Sequence, residues 1–497
     1  MLSRISSPYG YEQPAKTEIV IVVLSDYSPG GYYCELLGGE GLPSEHTQAI
    51  RDWLNQIRPR TLRKRALDCE RELFNLGITF TVYSDRDSID RVLPFDVIPR
   101  PISPSEWAHL EAGLIQRVTA INLLLRDVYG PGKIFKDGVI PEHLVKNNEN
   151  YRPEMAEVEV AHGSFVNICG VDLVRGGDGV FRVLEDNART PSGVSYVIEN
   201  RHLMQRAFPD LIGGVGLRSV SEYGMRLRNA LAEMAPGGIL DPQIVLMSPG
   251  SYNSAYFEHV FLAREMGVPL VEGQDLFVDG GLVHMKTTGG PKRVDVIYRR
   301  IGDDFMDPLA FRPESILGVP GIMEVYRNGK VALANAVGTG VADDKAVYAY
   351  MPRIIKYYLD QDALIPNVDT HICGEPDALQ FTLDNLENLV VKPVGESGGY
   401  GVVVGPRAST AELEECRALV MAHPDNYISQ PVVDLSVCPT LVDNVLAPRH
   451  VDLRPFLITG SQTWVLPGGL TRVALKEGSL IVNSSQGGGT KDTWVLE

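Results

Sequence analysis

The sequence predicts a mixed α/β protein with several lobes, and two observations carry that prediction. Between residues 243 and 301, apolar strand-like runs alternate with helical spacing, which is the pattern of an open, mainly parallel sheet. Hydrophobic residues make up 44% and charged residues 22% of the 497 positions, as in a globular chain with a sizeable core. Neither an internal repeat nor a low-complexity tract interrupts this pattern.

The first third of the chain predicts a loop-rich start followed by helices. Residues 1–48 are rich in Ser, Tyr, Gly and Pro, so we expect a tail and a loop-rich leading segment. Helical spacing covers residues 47–77 and 106–129, with a short strand at 78–83 between them. Residues 94–104 contain Pro99 and Pro101, and we expect a stiff connector there.

Beyond residue 160, strands and helices alternate through to the C-terminus. The predicted helices cover residues 197–232, 254–266, 344–360 and 410–422. The predicted strands cover residues 165–174, 180–184, 243–247, 268–271, 294–301, 389–393, 401–404, 451–457, 462–465 and 480–482.

The net charge of the chain argues against two classes of binding partner. The chain has 63 acidic and 46 basic residues, a formal net charge of −17. Nucleic acids and anionic membranes require a basic face, so we expect neither as a partner. Six scattered cysteines form no Cys-x-x-Cys pair, which argues against a disulfide framework or a zinc site. The sequence shows no signal-peptide core and no apolar run of 18 residues, and we expect a cytoplasmic protein.

A lysine and a glycine turn between two strands form the first segment with chemical character. Lys392 lies on the strand at 389–393, residues 395–401 are rich in glycine, and 402–404 favour a returning strand. Glycine lets backbone amides approach a phosphate, and a lysine adds a point charge. Because the lysine precedes the glycines and no helix follows, the segment fits a hairpin flap over a nucleotide better than a P-loop. The alternative is an ordinary glycine-rich hairpin with a surface lysine.

Three oxygen-bearing side chains lie on the strand pair at residues 165–187. Glu185 and Asn187 are two positions apart and therefore share a strand face. A two-residue turn at 177–178 would put Asp172 opposite Val183 and diagonal to Glu185, within side-chain reach. Two carboxylates and an amide oxygen on one face suit Mg²⁺.

The neighbouring Asp186 should point away from that face, because side chains alternate along a strand. Two adjacent carboxylates without a cation should also repel each other, which raises the pKa of one of them. The alternative to a metal site is the solvated polar face of an ordinary hairpin.

Two further segments carry weaker signals. Residues 481–492 place a glycine-rich loop after a strand, and such a loop could wrap a phosphate or a substrate. A frayed C-terminus is the alternative. On the strand at 451–457, alternation points Asp452 and Arg454 to one side, either into a pocket or as a surface ion pair.

Together these segments resemble the circularly permuted ATP-grasp family, type 2, and are similar to glutathionylspermidine synthetase-like ligases. In other ATP-grasp proteins the lysine and the glycine flap come first and the E-x-N metal strand closes the domain. Here the E-x-N strand precedes the flap by about two hundred residues. The resemblance covers about residues 70–497, and its most specific stretches are 183–196, 294–300 and 483–496.

The resemblance implies an ATP-grasp nucleotide domain in permuted order, a pre-grasp-like open α/β lobe and a partly helical N-terminal region. The expected segments are the leading segment at 1–48, a mostly helical region at 49–155, the metal-binding segment at 156–235, the pre-grasp-like lobe at 236–344 and the nucleotide-binding segment at 345–497.

The resemblance also implies ATP and Mg²⁺ as cofactors and assigns residues by position. The expected magnesium ligands are Asp172, Glu185 and Asn187. The expected ATP contacts are Lys345, Lys392, Glu396, Ser397, Gly398, Gly399, Gln430 and Val432. The expected catalytic residues are Lys392, Arg454 and Arg189. Two departures stand out: the adenine hinge has Gln430-Pro431 in place of an acidic pair, and Gly170-Val171 replaces the family's arginine before the first metal carboxylate, where Arg454 or Arg189 could supply the charge.

Substrate contacts are expected from the pre-grasp-like lobe and the C-terminus. Residues 248–256 follow a strand and open a helix, which suits an anion or carboxylate site. Arg299 and Arg300 end a strand, where one could clamp a carboxylate while the other faces away. The expected substrate residues are Asn253, Ser254, Arg299, Arg300, Asn483, Ser484, Gly487 and Gly488.

The predicted function is the ATP- and Mg²⁺-dependent ligation of a carboxylate and an amine through an acyl phosphate. The expected substrates are small molecules or peptides. Two alternatives stay open, namely an ATP-binding regulatory or scaffold protein without turnover, and a small-molecule kinase that stops after phosphoryl transfer. The sequence shows no Ser-His-Asp or Cys-His arrangement, so we expect positioning and charge neutralisation rather than covalent catalysis.

Overall fold

The protein is described here from a computed structural model that covers residues 24–39, 45–83, 88–395, 401–479, 482 and 488–497. Within these residues the strands form five sheets, with helices packed against them. The predicted mixed α/β class is confirmed.

The helices of the described residues range from one turn to the 25 residues of α3. Their bounds are α1 Gln48–Gln56, α2 Pro59–Asn75, α3 Pro104–Val128, α4 Lys133–Lys136, α5 Glu142–Lys146, α6 Val194–Ala207, α7 Pro209–Ile212, α8 Tyr223–Glu233, α9 Tyr256–Met266, α10 Asp303–Met306, α11 Ile322–Arg327, α12 Lys345–Ala349, α13 Met351–Leu359, α14 Pro376–Asp384 and α15 Thr410–Ala422.

The strands are mostly short, and the longest is the ten-residue β18. Their bounds are β1 Thr79–Tyr83, β2 Ser88–Val92, β3 Phe95–Ile102, β4 Ile168–Arg175, β5 Phe181–Asn187, β6 Ile244–Met247, β7 Leu270–Val271, β8 Leu276–Asp279, β9 Leu282–Met285, β10 Lys292–Arg293, β11 Val296–Arg299, β12 Ala332–Ala334, β13 His371–Ile372, β14 Leu389–Pro393, β15 Val403–Val404, β16 Tyr427–Pro431, β17 Val437–Val442, β18 Val445–Arg454, β19 Phe456–Thr459, β20 Thr463–Val465, β21 Leu470–Val473 and β22 Gly489–Val495.

A nine-stranded sheet joins segments that are far apart in the chain. Its order is β20-β19-β4-β18-β21-β22-β3, with β17 added on β18 and β5 on β4. The pairs are antiparallel except for β22 with β3. Strands β3, β4 and β5 therefore share one sheet with strands β17 to β22, although more than 200 residues separate β5 from β17.

The longest helix, α3, starts at signals that are visible in the sequence. Ser103 Oγ accepts a hydrogen bond from the Glu106 N–H, and the Glu106 carboxylate accepts one from the Ser103 N–H. Pro104 stands in the first turn, where its missing N–H costs nothing. Trp107 and Leu110 begin a buried stripe that joins the larger hydrophobic core.

The parallel sheet predicted between residues 243 and 301 is confirmed. Its order is β12-β11-β6-β7, and neighbouring strands run parallel. Val245 and Ile297 are buried in one core and Leu246 and Val296 in another, so both faces are covered. Helices on both faces are the usual environment of a parallel sheet.

A small antiparallel sheet carries Lys392. Its order is β13-β16-β14-β15, and its core contains Cys373, Val391, Cys416 and Val420. The predicted hairpin is present, since β14 pairs with β15. The tip of its flap, residues 396–400, lies outside the described residues.

The connector predicted at residues 94–104 is instead the strand β3. It lies last in the order of the large sheet, where the amides of alternate residues face away from the neighbour. Pro99 and Pro101 are two positions apart, so both nitrogens can point to that side. The region 49–155, expected to be mostly helical, therefore also contains β1, β2 and β3.

The C-terminal loop predicted at residues 481–492 is wrong for its last residues. Thr490, Lys491 and Asp492 belong to β22, which lies between β21 and β3. Lys491 is fully buried, pairs with Asp96 and donates to the Pro439 carbonyl at 2.8 Å. A buried lysine held by an aspartate explains how a polar stretch can form an interior strand.

Prolines divide two further predicted elements. The helix expected at 344–360 is interrupted between α12 and α13, where Pro352 lacks the N–H that a continuous helix would need. The strand expected at 451–457 is divided at Pro455 into β18 and β19.

Candidate active site

The hairpin of β4 and β5 brings the three predicted magnesium ligands together. Asp172 lies directly opposite Glu185, and Asn187 pairs with Gly170 at the open end of the hairpin. The Asn187 Nδ2 lies 3.5 Å from Asp172 Oδ1. The three side chains share one face because directly opposite and alternate residues project to the same side.

The register of this hairpin differs from the prediction. Residues 176–180 connect the strands, so the predicted two-residue turn is wrong. Leu184 is an extra residue in β5, and this bulge puts Asp172 opposite Glu185 rather than Val183. The bulge places Asp172 and Glu185 on the same face of the hairpin, which the longer turn alone would not ensure.

Asp186 faces the opposite side of β5, as expected. Its two oxygens accept hydrogen bonds from Arg117 Nε and Nη2 at 2.6 and 2.7 Å, and both side chains are buried. Arg117 lies on α3 and also donates to Asn367 Oδ1 at 2.8 Å. Because side chains alternate along β5, Glu185 faces the other predicted magnesium ligands, whereas Asp186 forms a buried ion pair with Arg117.

Asp172 is held by two arginines from neighbouring strands. Arg454 on β18 forms a two-point ion pair with it, and Arg472 on β21 donates to Asp172 Oδ2 at 2.6 Å while also pairing with Asp452. Burial alone would raise the pKa of Asp172, but the two cations outweigh burial and hold it at about 2. Asp452 is itself buried, so the surface ion pair considered above is wrong. The side chain of Asp172 is 3% exposed against 31% for Glu185.

A cleft of about 160 Å³ lies between the hairpin and the segment predicted to bind the nucleotide. Glu185, Asn187 and Arg189 line it from the hairpin segment. Lys345 and residues 394–395, at the base of the flap, line it from the other segment. A carboxylate and an amide that can bind a cation, and a lysine that can bind an anion, thus line the same cleft.

Lys392 lies close to this cleft on β14. Its Nζ donates to Gln430 Oε1 at 2.6 Å. Burial lowers the pKa of Lys392 to about 8; the charge of Glu185 opposes this shift and that of Lys345 adds to it. Charge interactions weaken with separation, so these three side chains share one electrostatic environment.

Lys345 is placed by a helix cap. Asp344 accepts hydrogen bonds from the N–H groups of Ala346 and Val347, which starts α12 at Lys345. The Lys345 Nζ lies 3.4 Å from the Val394 carbonyl oxygen. The second predicted lysine therefore reaches the base of the flap.

The predicted adenine hinge lies on and just beyond β16. Gln430 is buried, its Oε1 accepts from Lys392, and its Nε2 donates to Thr370 Oγ1 at 2.8 Å. Val432 follows β16 and is half-buried. The Gln430 side chain thus orients Lys392, and the adenine contacts stay a prediction.

Arg299 and Arg300 do not form the expected open clamp. Arg299 is 1% exposed, pairs with Asp303 and donates to three backbone carbonyls. Arg300 is 5% exposed, pairs with Glu258 and donates to the Pro191 carbonyl at 2.6 Å. Both are interior, because buried acceptors surround the end of β11.

The other expected substrate residues are divided between a turn and the C-terminal segment. Asn253 and Ser254 lie between β6 and α9, where Asn253 Oδ1 accepts from the Ala255 N–H at 2.9 Å. They do not line the cleft described above. Gly488 is buried directly before β22. Seven predicted residues lie outside the described part of the chain: Glu396, Ser397, Gly398, Gly399, Asn483, Ser484 and Gly487.

Asp343 is a cleft residue that the sequence reasoning missed. It accepts hydrogen bonds from the N–H groups of Ala188 and Arg189. Burial raises the pKa of Asp343 to about 7, Arg189 opposes this shift, and Glu185 adds to it. The signal that could have found it is the pair of acidic residues directly before Lys345.

Arg189 and Arg454, the two candidates for the missing arginine, occupy different places. Arg454 pairs with Asp172, whereas Arg189 lines the cleft. The Arg189 Nη1 donates to Asn150 Oδ1 at 3.1 Å. Asn150 follows α5 in the N-terminal region and was not singled out by any motif.

The donor set fits Mg²⁺. Among the described residues, no group of three or more His, Cys, Asp or Glu side chains is arranged to hold a metal ion. The set proposed here has two carboxylates and one amide, oxygen donors that Mg²⁺ accepts together with water. Asp172 would have to exchange an arginine for the metal, whereas Glu185 and Asn187 already line the cleft.

The order of these parts along the chain is the deciding observation: β5, with the predicted metal ligands, precedes β14, with Lys392, and residues of β5 and residues directly after β14 line one cleft. A family model described as circularly permuted ATP-grasp type 2 matches residues 99–474. The chain belongs to this family. The described part holds an antiparallel sheet that carries Lys392 and a larger sheet that carries Asp172 and Glu185.

Relatives cover most of this ATP-grasp chain. An uncharacterized Synechocystis protein is 49% identical over 95% of this chain and 99% of its own length. An uncharacterized Mycobacterium tuberculosis protein is 50% identical over 88% and 78%. A Frankia alni protein with the provisional name glutamate–cysteine ligase 2-3 is 41% identical over 97% of this chain and 56% of its own length. Family membership and this name support a ligase in general terms.

A solved structure shares the fold. The apo form of a glutathione synthetase-like effector from Globodera pallida aligns with a TM-score of 0.57, 12% identity, and coverage of 89% of this chain and 98% of its own. At that identity the likeness concerns the fold alone. In the described parts of the chain, no helix combines the length and the apolar character needed to cross a bilayer.

Proposed function

We propose that this ATP-grasp protein is an ATP- and Mg²⁺-dependent carboxylate–amine ligase. The observation that supports it most is the cleft itself. Glu185 and Asn187 line it from one segment, and Lys345 lines it from another, beside the strand of Lys392. Phosphoryl transfer depends on positioning and charge neutralisation, which such a set of groups can supply.

Each group has a proposed role at the nucleotide. Glu185 and Asn187 would hold Mg²⁺, with Asp172 as the third ligand once it releases an arginine; the bound ion supplies charge neutralisation for the ATP phosphates. Lys392 and Lys345 would contact those phosphates beneath the flap. The burial that lowers the pKa of Lys392 also strengthens its interaction with an anion.

The proposed reaction has two balanced steps. A substrate carboxylate oxygen attacks the γ-phosphorus of ATP, and the bond between that phosphorus and the β,γ-bridging oxygen breaks. ADP is the leaving group, and the acid becomes an acyl phosphate. The amine nitrogen then attacks the carbonyl carbon, phosphate leaves, and the nitrogen loses a proton to give the amide. Arg454 is positioned by Asp172 and could stabilise negative charge in the second step.

Arg189 is the proposed contact for the substrate carboxylate. Its side chain is 37% exposed and lines the cleft, between Asn150 and Asp343. A guanidinium group binds a carboxylate through two parallel hydrogen bonds. The name of the Frankia relative makes glutamate and cysteine the first acid and amine to test.

The proposal is tested with purified protein, MgATP and paired acids and amines. We expect phosphate release that needs both partners, and a mass-spectrometric product equal to acid plus amine minus water. Positional isotope exchange in ATP with the acid alone would detect the acyl phosphate. A phosphorylated acid without amide would indicate a kinase, and nucleotide binding without phosphate release across the set would indicate a regulatory protein.

A further inference from the structure

The two residues that follow the metal strand bond through their backbones to side chains of another segment. The N–H groups of Ala188 and Arg189 donate to Asp343 Oδ1, the second at 3.1 Å. Their carbonyls accept from Asn335 Nδ2 at 2.8 and 3.2 Å. Two side chains thus bond all four backbone polar groups of this dipeptide.

Asn335 also holds the other strand of the hairpin. Its Oδ1 accepts from the N–H groups of Asn167 and Ile168, both at 2.7 Å, and its Nδ2 donates to the Ile168 carbonyl at 2.7 Å. The strand pairing itself stops at Asn187. Asn335 therefore bridges the open end of the hairpin where the strand pairing no longer does.

The backbone of Asn335 is itself hydrogen-bonded to a buried arginine. Arg299 Nε donates to the Asn335 carbonyl at 2.7 Å, and Arg299 pairs with Asp303. Asp303 Oδ2 in turn accepts from the Gly338 N–H at 2.8 Å. Asn335 is 1% exposed, so these bonds form in the interior, where leaving one unmade is costly.

We infer that Asn335 and Asp343 are positioning residues for the nucleotide–metal site; we call the pair the backbone clamp. The inference rests on the proposed function. The clamp holds the dipeptide directly after the ligand Asn187 and carries the Arg189 side chain at the cleft. Metal and substrate groups need placement within about 0.5 Å, and supporting hydrogen bonds supply it.

The test is equilibrium binding of Mn²⁺ with the ATP analogue AMP-PNP, followed by the electron paramagnetic resonance of bound Mn²⁺. Asp343→Ala removes the oxygen that accepts both hydrogen bonds, and we expect affinity to fall about tenfold or more. Asp343→Asn keeps an acceptor oxygen, and we expect affinity within about threefold of wild type. Asn335→Asp keeps the shape and loses the donors, and it should behave like Asp343→Ala.

A matched control separates positioning from stability. Asp307 is a buried carboxylate that accepts from the N–H groups of Leu309, Gly321 and Met323, away from the cleft. Asp307→Ala should lower the unfolding temperature as the clamp variants do, with unchanged Mn²⁺ affinity.

The outcomes distinguish the two proposals. Wild-type affinity in folded Asn335→Asp and Asp343→Ala would overturn the clamp and leave the proposed function standing. An equal loss of affinity in Asp307→Ala would also overturn it, because instability alone would then explain the effect. Absence of nucleotide binding by the wild-type protein would overturn the proposed function and the clamp together.

Discussion

Lys392 is a residue whose pKa differs from that of an ordinary lysine. Burial lowers its pKa to about 8, against an ordinary value of 10.5. Folding therefore disfavours the protonated lysine, and this cost to stability shrinks as pH rises from 8 towards 10.5. A bound triphosphate has the opposite preference, because it attracts the protonated form.

We predict that the affinity for MgATP falls as pH rises above about 8. Above that pH the free protein must take up a proton to bind, which costs up to about tenfold in affinity per pH unit. Calorimetric titration from pH 7 to 9.5, without acid substrate, measures this slope. Lys392→Gln should bind at least about tenfold more weakly at pH 7 and lose the slope. A slope unchanged by Lys392→Gln would place the titrating group elsewhere.

Glu185 and Asp186 are neighbours with opposite environments, and substitution should separate them. Glu185→Gln keeps the shape of a half-exposed side chain and removes a charge, so we expect loss of phosphate release with little change in stability. Asp186→Asn weakens the buried pair with Arg117, at a cost of about 3 kcal/mol in the free energy of unfolding.

The measurements for this pair are phosphate release, Mn²⁺ affinity and urea unfolding. The Mn²⁺ affinity of Asp186→Asn should stay close to that of the wild type, because Asp186 pairs with Arg117 and faces away from the predicted ligands. Equal losses of Mn²⁺ affinity in both variants would show that the metal ligands are wrongly assigned.

At the scale of elements, β22 is the largest departure from the sequence-based expectation. It lies within the large sheet, and Trp494 is fully buried with its Nε1 donating to Asp492 Oδ2 at 2.7 Å. Because β22 pairs with both β21 and β3, this polar segment joins β3 to the rest of the sheet.

We predict that Trp494→Ala lowers the free energy of unfolding by about 3–5 kcal/mol, from lost burial and the cavity left behind. Leu240→Ala, at a fully exposed position, is the matched control and should change it by less than about 0.5 kcal/mol. Urea unfolding measures both. A Trp494→Ala variant as stable as the control would contradict an interior place for β22.

At the scale of the whole molecule, the cleft is formed by segments that are far apart in the chain. Residues 185–187, 189–190, 340 and 343–345 line it together with residues 394–395. We predict that MgATP slows amide hydrogen exchange in peptides covering 168–190 and 340–395 at once, because one ligand bridges both. The parallel sheet of β6, β7, β11 and β12 should change less. Protection confined to one segment would contradict a shared site.

Local periodicity was enough to determine several features of this protein. The spacing of Glu185 and Asn187 predicted a shared face, and a strand period of two directed Asp186 away from it. The bounds of α15, residues 410–422, agree with the prediction, and Ser409 and Glu412 form a capping box at its start. The order of the metal and lysine segments was sufficient to suggest the permuted family.

Only the tertiary structure decided which of these groups meet and which are buried. The bulge at Leu184, the two arginines on Asp172 and the burial of Arg299 and Arg300 involve partners far away in the chain. The same holds for β22 and for the contacts of Asn335 and Asp343. Local pattern reports the backbone preference of neighbouring residues, whereas the pairing of distant strands depends on the free energy of the whole core, which no single segment encodes.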